Sequence, residues 1–179
     1  AIAWVDRYKD IVVLAPQTDD GWSEEESLAI GEVITQLIND GVVDANRIYG
    51  SGCSAGGRGC IMTASRNGEL YTAIAPICPT MVDDSIEAVL KMTDMPIWIT
   101  SAFEDHTPNR DDFIVSTITA IQKAGNKDAS YTLYQPEEFL KYNLGITEDK
   151  LPSEYHFSWI LTLNNEYEVM DWLLNQSKG

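Results

Sequence analysis

Short apolar runs alternate along this chain with longer stretches whose apolar residues recur at helical spacing. Ile11–Ala15 (IVVLA) is a continuous apolar run closed by Pro16, which predicts a buried strand. After a turn-rich QTDDGW, Ser23 and Glu26 form a capping box, and Glu24 and Glu25 suit the positive end of a helix. Leu28, Ile30, Val33, Ile34, Leu37 and Ile38 then predict an amphipathic helix stopped at Asn39-Asp40-Gly41. Arg47–Cys53, Thr72–Ile77, Pro96–Ser101 and Tyr131–Tyr134 read as four more strands. Between and after them, Ala55–Ser65, Ile86–Leu90, Asp112–Ala124 and Glu166–Leu174 read as helices. Strand and helix in alternation predict an α/β fold: a mostly parallel sheet with helices on both faces. Right-handed crossovers then bring every strand's carboxyl end to one edge, where ligands bind in such sheets. Gln135–Tyr155 fits this plan badly. It is long, acidic and aromatic, and reads either as a lid or substrate loop or as an irregular surface excursion.

Composition narrows the function classes. The 179 residues, 44% hydrophobic and 22% charged, suit one globular domain spanning 1–179 with a core of its own. Twelve Lys and Arg against 28 Asp and Glu give a net charge of −16. Such a surface repels phosphate, so nucleic acid and anionic membrane are not expected partners. No apolar run approaches the ~20 residues that span a bilayer. Cys53, Cys60 and Cys78 make no CxxC pair, and the chain has only two histidines, so no metal and no cofactor are expected. The cysteines read as small buried apolar groups, a bond between two of them staying open for an exported protein. Ala1 is not an initiator methionine, and AIAWVDRYKD carries charges too early for a signal peptide, so the start reads as removed or the chain as a fragment.

The candidate chemistry begins at Gly52-Cys53-Ser54-Ala55-Gly56, a G-x-S-x-G between an expected strand and an expected helix. That context is what a nucleophile elbow requires. The turn forces Ser54 into an uncommon backbone conformation, Gly52 and Gly56 would let neighbouring backbone pass close, and the Ala55 amide would face an oxyanion. A tight turn with a buried serine is the plainer alternative. A serine hydroxyl needs a base. His106 adjoins Asp105 in sequence, and adjacent side chains diverge, whereas His156 falls after the last expected strand, where it can reach the carboxyl edge. The orienting carboxylate is expected just past a strand end. Asp105 in SAFEDHTP fits, Glu104 is its neighbour, and Asp83 and Asp84 are the runners-up. The order Ser54, Asp105, His156, with 51 positions between each consecutive two, is the nucleophile–acid–histidine order of α/β hydrolases. Trp22 and Trp159 are candidate substrate-binding aromatics.

These segments resemble a known family. VDANRIYGSGCSAGGRGCIMTASRNGELYTAIAPICP is similar to the strand, elbow and helix of α/β-hydrolase esterases, in particular polyhydroxybutyrate-depolymerase-like and feruloyl-esterase-like carboxylesterases, a group also called predicted peptidases. MPIWITSAFEDHTPN resembles that group's acid loop, and HFSWILTLNNEYEVMDWLL its histidine segment. The resemblance implies the α/β-hydrolase fold, a three-layer sandwich whose N-terminal strands lie outside this chain. It also implies Ser54 as nucleophile, Asp105 as acid and His156 as base. The chain has no His-Gly pair of the kind the family's oxyanion loop carries, and its acid loop is one residue shorter between Asp105 and Pro108. The expected function is hydrolysis of a small-molecule or polysaccharide-linked ester through an acyl-enzyme. A serine peptidase, a catalytically silent binding domain on the same scaffold, and a thiol-dependent activity at Cys53 are the alternatives.

Overall fold

The computed structural model describes residues 8, 10–19, 21–105, 110–142 and 155–179. Among these, strands β1 (Tyr49–Cys53), β2 (Ala73–Ile77), β3 (Ile97–Ala102) and β4 (Ala129–Tyr134) lie side by side in chain order, all parallel. Helix α1 (Glu24–Asn39) precedes β1, and helices α2 (Ala55–Arg66), α3 (Asp83–Leu90) and α4 (Arg110–Lys123) carry the three crossovers between the described strands. Three short helices follow: α5 (Pro136–Phe139), α6 (Trp159–Leu163) and α7 (Val169–Asn175). The Ser23 capping box opens α1, with the Glu26 amide donating to Ser23 Oγ at 3.2 Å and the Ser23 amide to Glu26 Oε2 at 2.8 Å.

Alternation along the strands divides the core into layers. Ile74, Ile97 and Ile99 face α1 to α4 and pack on Ile34, Ile61, Val89, Ile114 and Ile118. Ala73, Ala75 and Trp98 face the opposite way, onto Val169, Met170 and Leu173 of α7. The sheet is thus covered on both faces, as a parallel sheet must be to satisfy its apolar strands. A third cluster lies past the carboxyl ends of β3 and β4: Ala102, Tyr134, Phe139, Tyr155 and Leu161. It anchors the segment that carries His156. Thr162 Oγ1 ties that segment down, lying 2.8 Å from Thr100 Oγ1 and 2.9 Å from the Tyr134 hydroxyl, all three buried.

The structure departs from the sequence pattern in three places. Ile11–Ala15 is not a strand: residues 11–18 have no regular structure, and Val12, Val13 and Leu14 are exposed at 53%, 47% and 44%. An apolar run becomes a buried strand only where a neighbour supplies backbone partners, and among the described residues β1 pairs with β2 alone. The last helix starts at Val169, not Glu166. Asn165, Tyr167 and Glu168 hold positive φ of 65°, 56° and 58°, and Asn165 Oδ1 accepts from the Met170 and Asp171 amides at 3.1 and 3.0 Å. That side chain caps the helix, a role the periodicity alone does not reveal. Third, Tyr155 at the end of the expected loop Gln135–Tyr155 is a core residue, packed edge-on against Phe139 at 5.8 Å. The centre of that loop, 143–154, lies outside the described residues.

Candidate active site

Ser54 stands between β1 and α2 at φ 56°, ψ −118°, a strained backbone for a residue with a side chain. Its neighbours hold it there. The Ser54 amide donates to Ile77 O at 3.0 Å, and the amides of Arg58 and Thr80 donate to Ser54 O at 3.1 and 3.2 Å. Ser54 occupies the N-cap of α2 but makes no side-chain cap bond, so its hydroxyl stays available to face outward from the helix. Glycine is required on the side where β1 meets α2. A Cβ on Gly52 would come within 2.3 Å of Gly56 O. The second close approach belongs to Gly57, whose Cβ would meet Ile77 O and Pro79 Cα at 2.9 Å. Gly56, expected to play that part, faces open space. Ala55 is the first residue of α2, where amides have no intrahelical acceptor.

The imidazole of His156 bridges two distant parts of the chain. Its Nε2 lies 2.9 Å from Ser54 Oγ and its Nδ1 3.0 Å from Asp105 Oδ2. Asp105 follows β3, with its amide bonded to Ala102 O at 3.3 Å, and its side chain is only 1% exposed against 26% for His156. A buried carboxylate that accepts from one ring nitrogen can fix the tautomer and orientation of a half-open imidazole. The sheet edge thus brings together the three groups expected from the sequence, Ser54, Asp105 and His156. Of the other candidate acids, Asp83 and Asp84 lie in the first turn of α3, and Asp84 pairs with Arg58. Glu104 is half-exposed, and His106 lies outside the described residues.

The two candidate tryptophans occupy different settings. The Trp22 ring lies on the backbone of Gly59, where a Cβ would come within 2.3 Å of it, and packs against the core beneath α1 and α2. Trp159 opens α6 with its ring 5.5 Å from that of His156 and at 88° to it. Phe157 was not singled out from the sequence, yet its ring lies 4.8 Å from Trp159. Its position next to His156 was the available signal. Cys53 is half-buried and Cys60 buried, and desolvation pushes their thiols up to about 11 and about 12. Among the described residues, no group of three His, Cys, Asp or Glu is placed to hold a metal, and no helix is long and apolar enough to cross a membrane.

Comparison with known proteins adds a structural likeness. No family model matches the chain, and no curated protein matches it. Among solved structures, the crystal structure of a thermostable esterase superposes with a TM-score of 0.67 at 29% sequence identity, over 87% of this chain. The fold is that of the α/β hydrolases. This chain spans 38% of that esterase's length.

Proposed function

We propose that this chain hydrolyses carboxylic esters through an acyl-enzyme on Ser54. The observation that carries the reading is the double contact of one imidazole, 2.9 Å to Ser54 Oγ and 3.0 Å to Asp105 Oδ2. The likeness to a thermostable esterase supports the same reaction class. In this reading Nδ1–H of His156 donates to the Asp105 carboxylate, which leaves Nε2 as the acceptor for the Ser54 proton. Ser54 Oγ attacks the ester carbonyl as His156 takes that proton. The Ala55 amide, at the positive end of α2, donates to the oxyanion. The imidazolium returns its proton to the departing alcohol, Asp105 stabilising the charge meanwhile. Water then attacks the acyl-enzyme, again deprotonated by His156, and Ser54 is released.

Labelling with an alkyl fluorophosphonate, followed by mass spectrometry of the modified peptide, tests the reading. The adduct is expected on Ser54, absent from Ser54→Ala and strongly slowed in His156→Ala. Hydrolysis of p-nitrophenyl acetate should fall to background in both variants. A wild-type protein that takes no label where a control esterase does, and matches Ser54→Ala in rate, refutes the enzyme reading and favours a silent binding domain.

A further inference from the structure

We infer that Phe157 and Trp159 form an aromatic shelf for the alcohol half of the ester, so that the substrates are esters of aryl-bearing alcohols that carry no negative charge. This rests on the reading of Ser54 and His156 given above. An imidazole that protonates a leaving alcohol must come within about 3 Å of its oxygen. Groups packed on that imidazole therefore flank the alcohol side of the scissile bond and not the acyl side.

Trp159 is such a group, with its ring centroid 5.5 Å from that of His156. Phe157 extends the aromatic surface, 4.8 Å further and tilted by 58°. Both rings are only partly buried, and neither belongs to the core cluster that holds the nearby Tyr134, Phe139 and Tyr155. Their backbone is nonetheless held firmly. Tyr155, before His156, packs on Phe139, and Thr162, in the same short helix as Trp159, is bonded to Thr100 and Tyr134. A half-open aromatic pair on a rigid base binds a flat apolar group with little ordering cost.

Charge selects against an anionic alcohol. Asp105 lies directly behind the imidazole and Glu104 beside it in the chain, while Arg58, one turn beyond Ser54, is engaged by Asp84 and the Gly21 carbonyl. The net charge of −16 adds a repulsive field for any anion that approaches.

Benzyl acetate and ethyl acetate test this directly, because they form the same acetyl-enzyme and release alcohols of similar basicity. Wild-type kcat/KM should favour benzyl acetate by about ten-fold or more. In Trp159→Leu, and separately in Phe157→Leu, that preference should shrink towards unity. The ratio for ethyl phenylacetate over ethyl acetate, which differ only in the acyl half, should change by less than about two-fold. The acetyl-enzyme should also transfer to added benzyl alcohol in preference to ethanol, and lose that preference in the same variants. Equal wild-type rates on the two acetates, a variant effect confined to the acyl pair, or a preference for a trimethylammonioethyl ester over the benzyl ester would overturn the inference while leaving the hydrolase reading intact. Failure to turn over any ester, with no fluorophosphonate adduct, would overturn both.

Discussion

Thr162→Val probes how the histidine segment is fastened to the sheet. The Thr162 hydroxyl is within bonding distance of Thr100 Oγ1 at 2.8 Å and the Tyr134 hydroxyl at 2.9 Å, and it donates to Ser158 O at 3.2 Å. Thr100, Thr162 and Tyr134 are all fully buried. Valine matches threonine in shape, so the packing of α6 is kept and only the hydroxyl is lost. Two buried hydroxyls on the sheet then lose a partner, each costing about 1–3 kcal/mol. Because hydroxyls rotate to find substitutes, the lower half of the sum applies, about 2–4 kcal/mol, a large part of a typical folding free energy. Thr162→Ser keeps the hydroxyl and gives up one methyl, for about 1 kcal/mol. Pairing Thr162→Val with Thr100→Val removes both ends of one bond, so the double variant should cost less than the sum of the singles. Urea unfolding monitored by tryptophan fluorescence gives these differences at unchanged slope. Since the same segment carries His156, kcat on an ester should fall in Thr162→Val and recover in Thr162→Ser. A Thr162→Val protein within about 0.5 kcal/mol of wild type, or additive behaviour of the pair, would refute the reasoning.

Other expectations follow from single observations. Asp105→Asn keeps the shape of the acid but removes the charge that favours the imidazolium, so kcat should drop by about 10³–10⁴ with KM little changed in steady-state assays. Gly52→Ala forces a Cβ to within 2.3 Å of Gly56 O and should cost about 3 kcal/mol or more in urea unfolding, whereas Gly56→Ala faces open space and should cost under about 0.5 kcal/mol. Burial opposes the thiolate at Cys53 and raises its pKa to about 11. At pH 8 only about one thiol in a thousand is then ionised, so iodoacetamide should modify it slowly, with a rate rising about ten-fold per pH unit until that value is approached. Rapid modification of folded protein at pH 7, read by peptide mass spectrometry, would contradict this. Ser23→Ala removes the capping box and should cost about 1 kcal/mol of thermal or urea stability.

Much of the molecule is legible in its amino-acid order, because capping, helical period and turn chemistry act over a few residues. Ser23 and Glu26 announced the first helix, GSGCSAGG the elbow, and the four apolar runs the strands that form the sheet. Residue type and chain order also narrowed the chemical groups to one serine, one of two histidines and a carboxylate past a strand. Tertiary structure alone decided the rest. Ile11–Ala15 has the composition of a strand but stays exposed, because burial needs a hydrogen-bonding neighbour that composition cannot supply. Gly57, not Gly56, makes the tight approach, because helix rotation determines which glycine faces Pro79. Asn165 caps the last helix through backbone angles that periodicity does not encode. The meeting of His156 with Asp105 and Ser54 spans 51 and 102 positions along the chain. Such distances are closed by the parallel register of the strands and by the buried Thr162 contact, and neither is a property of any local stretch of sequence.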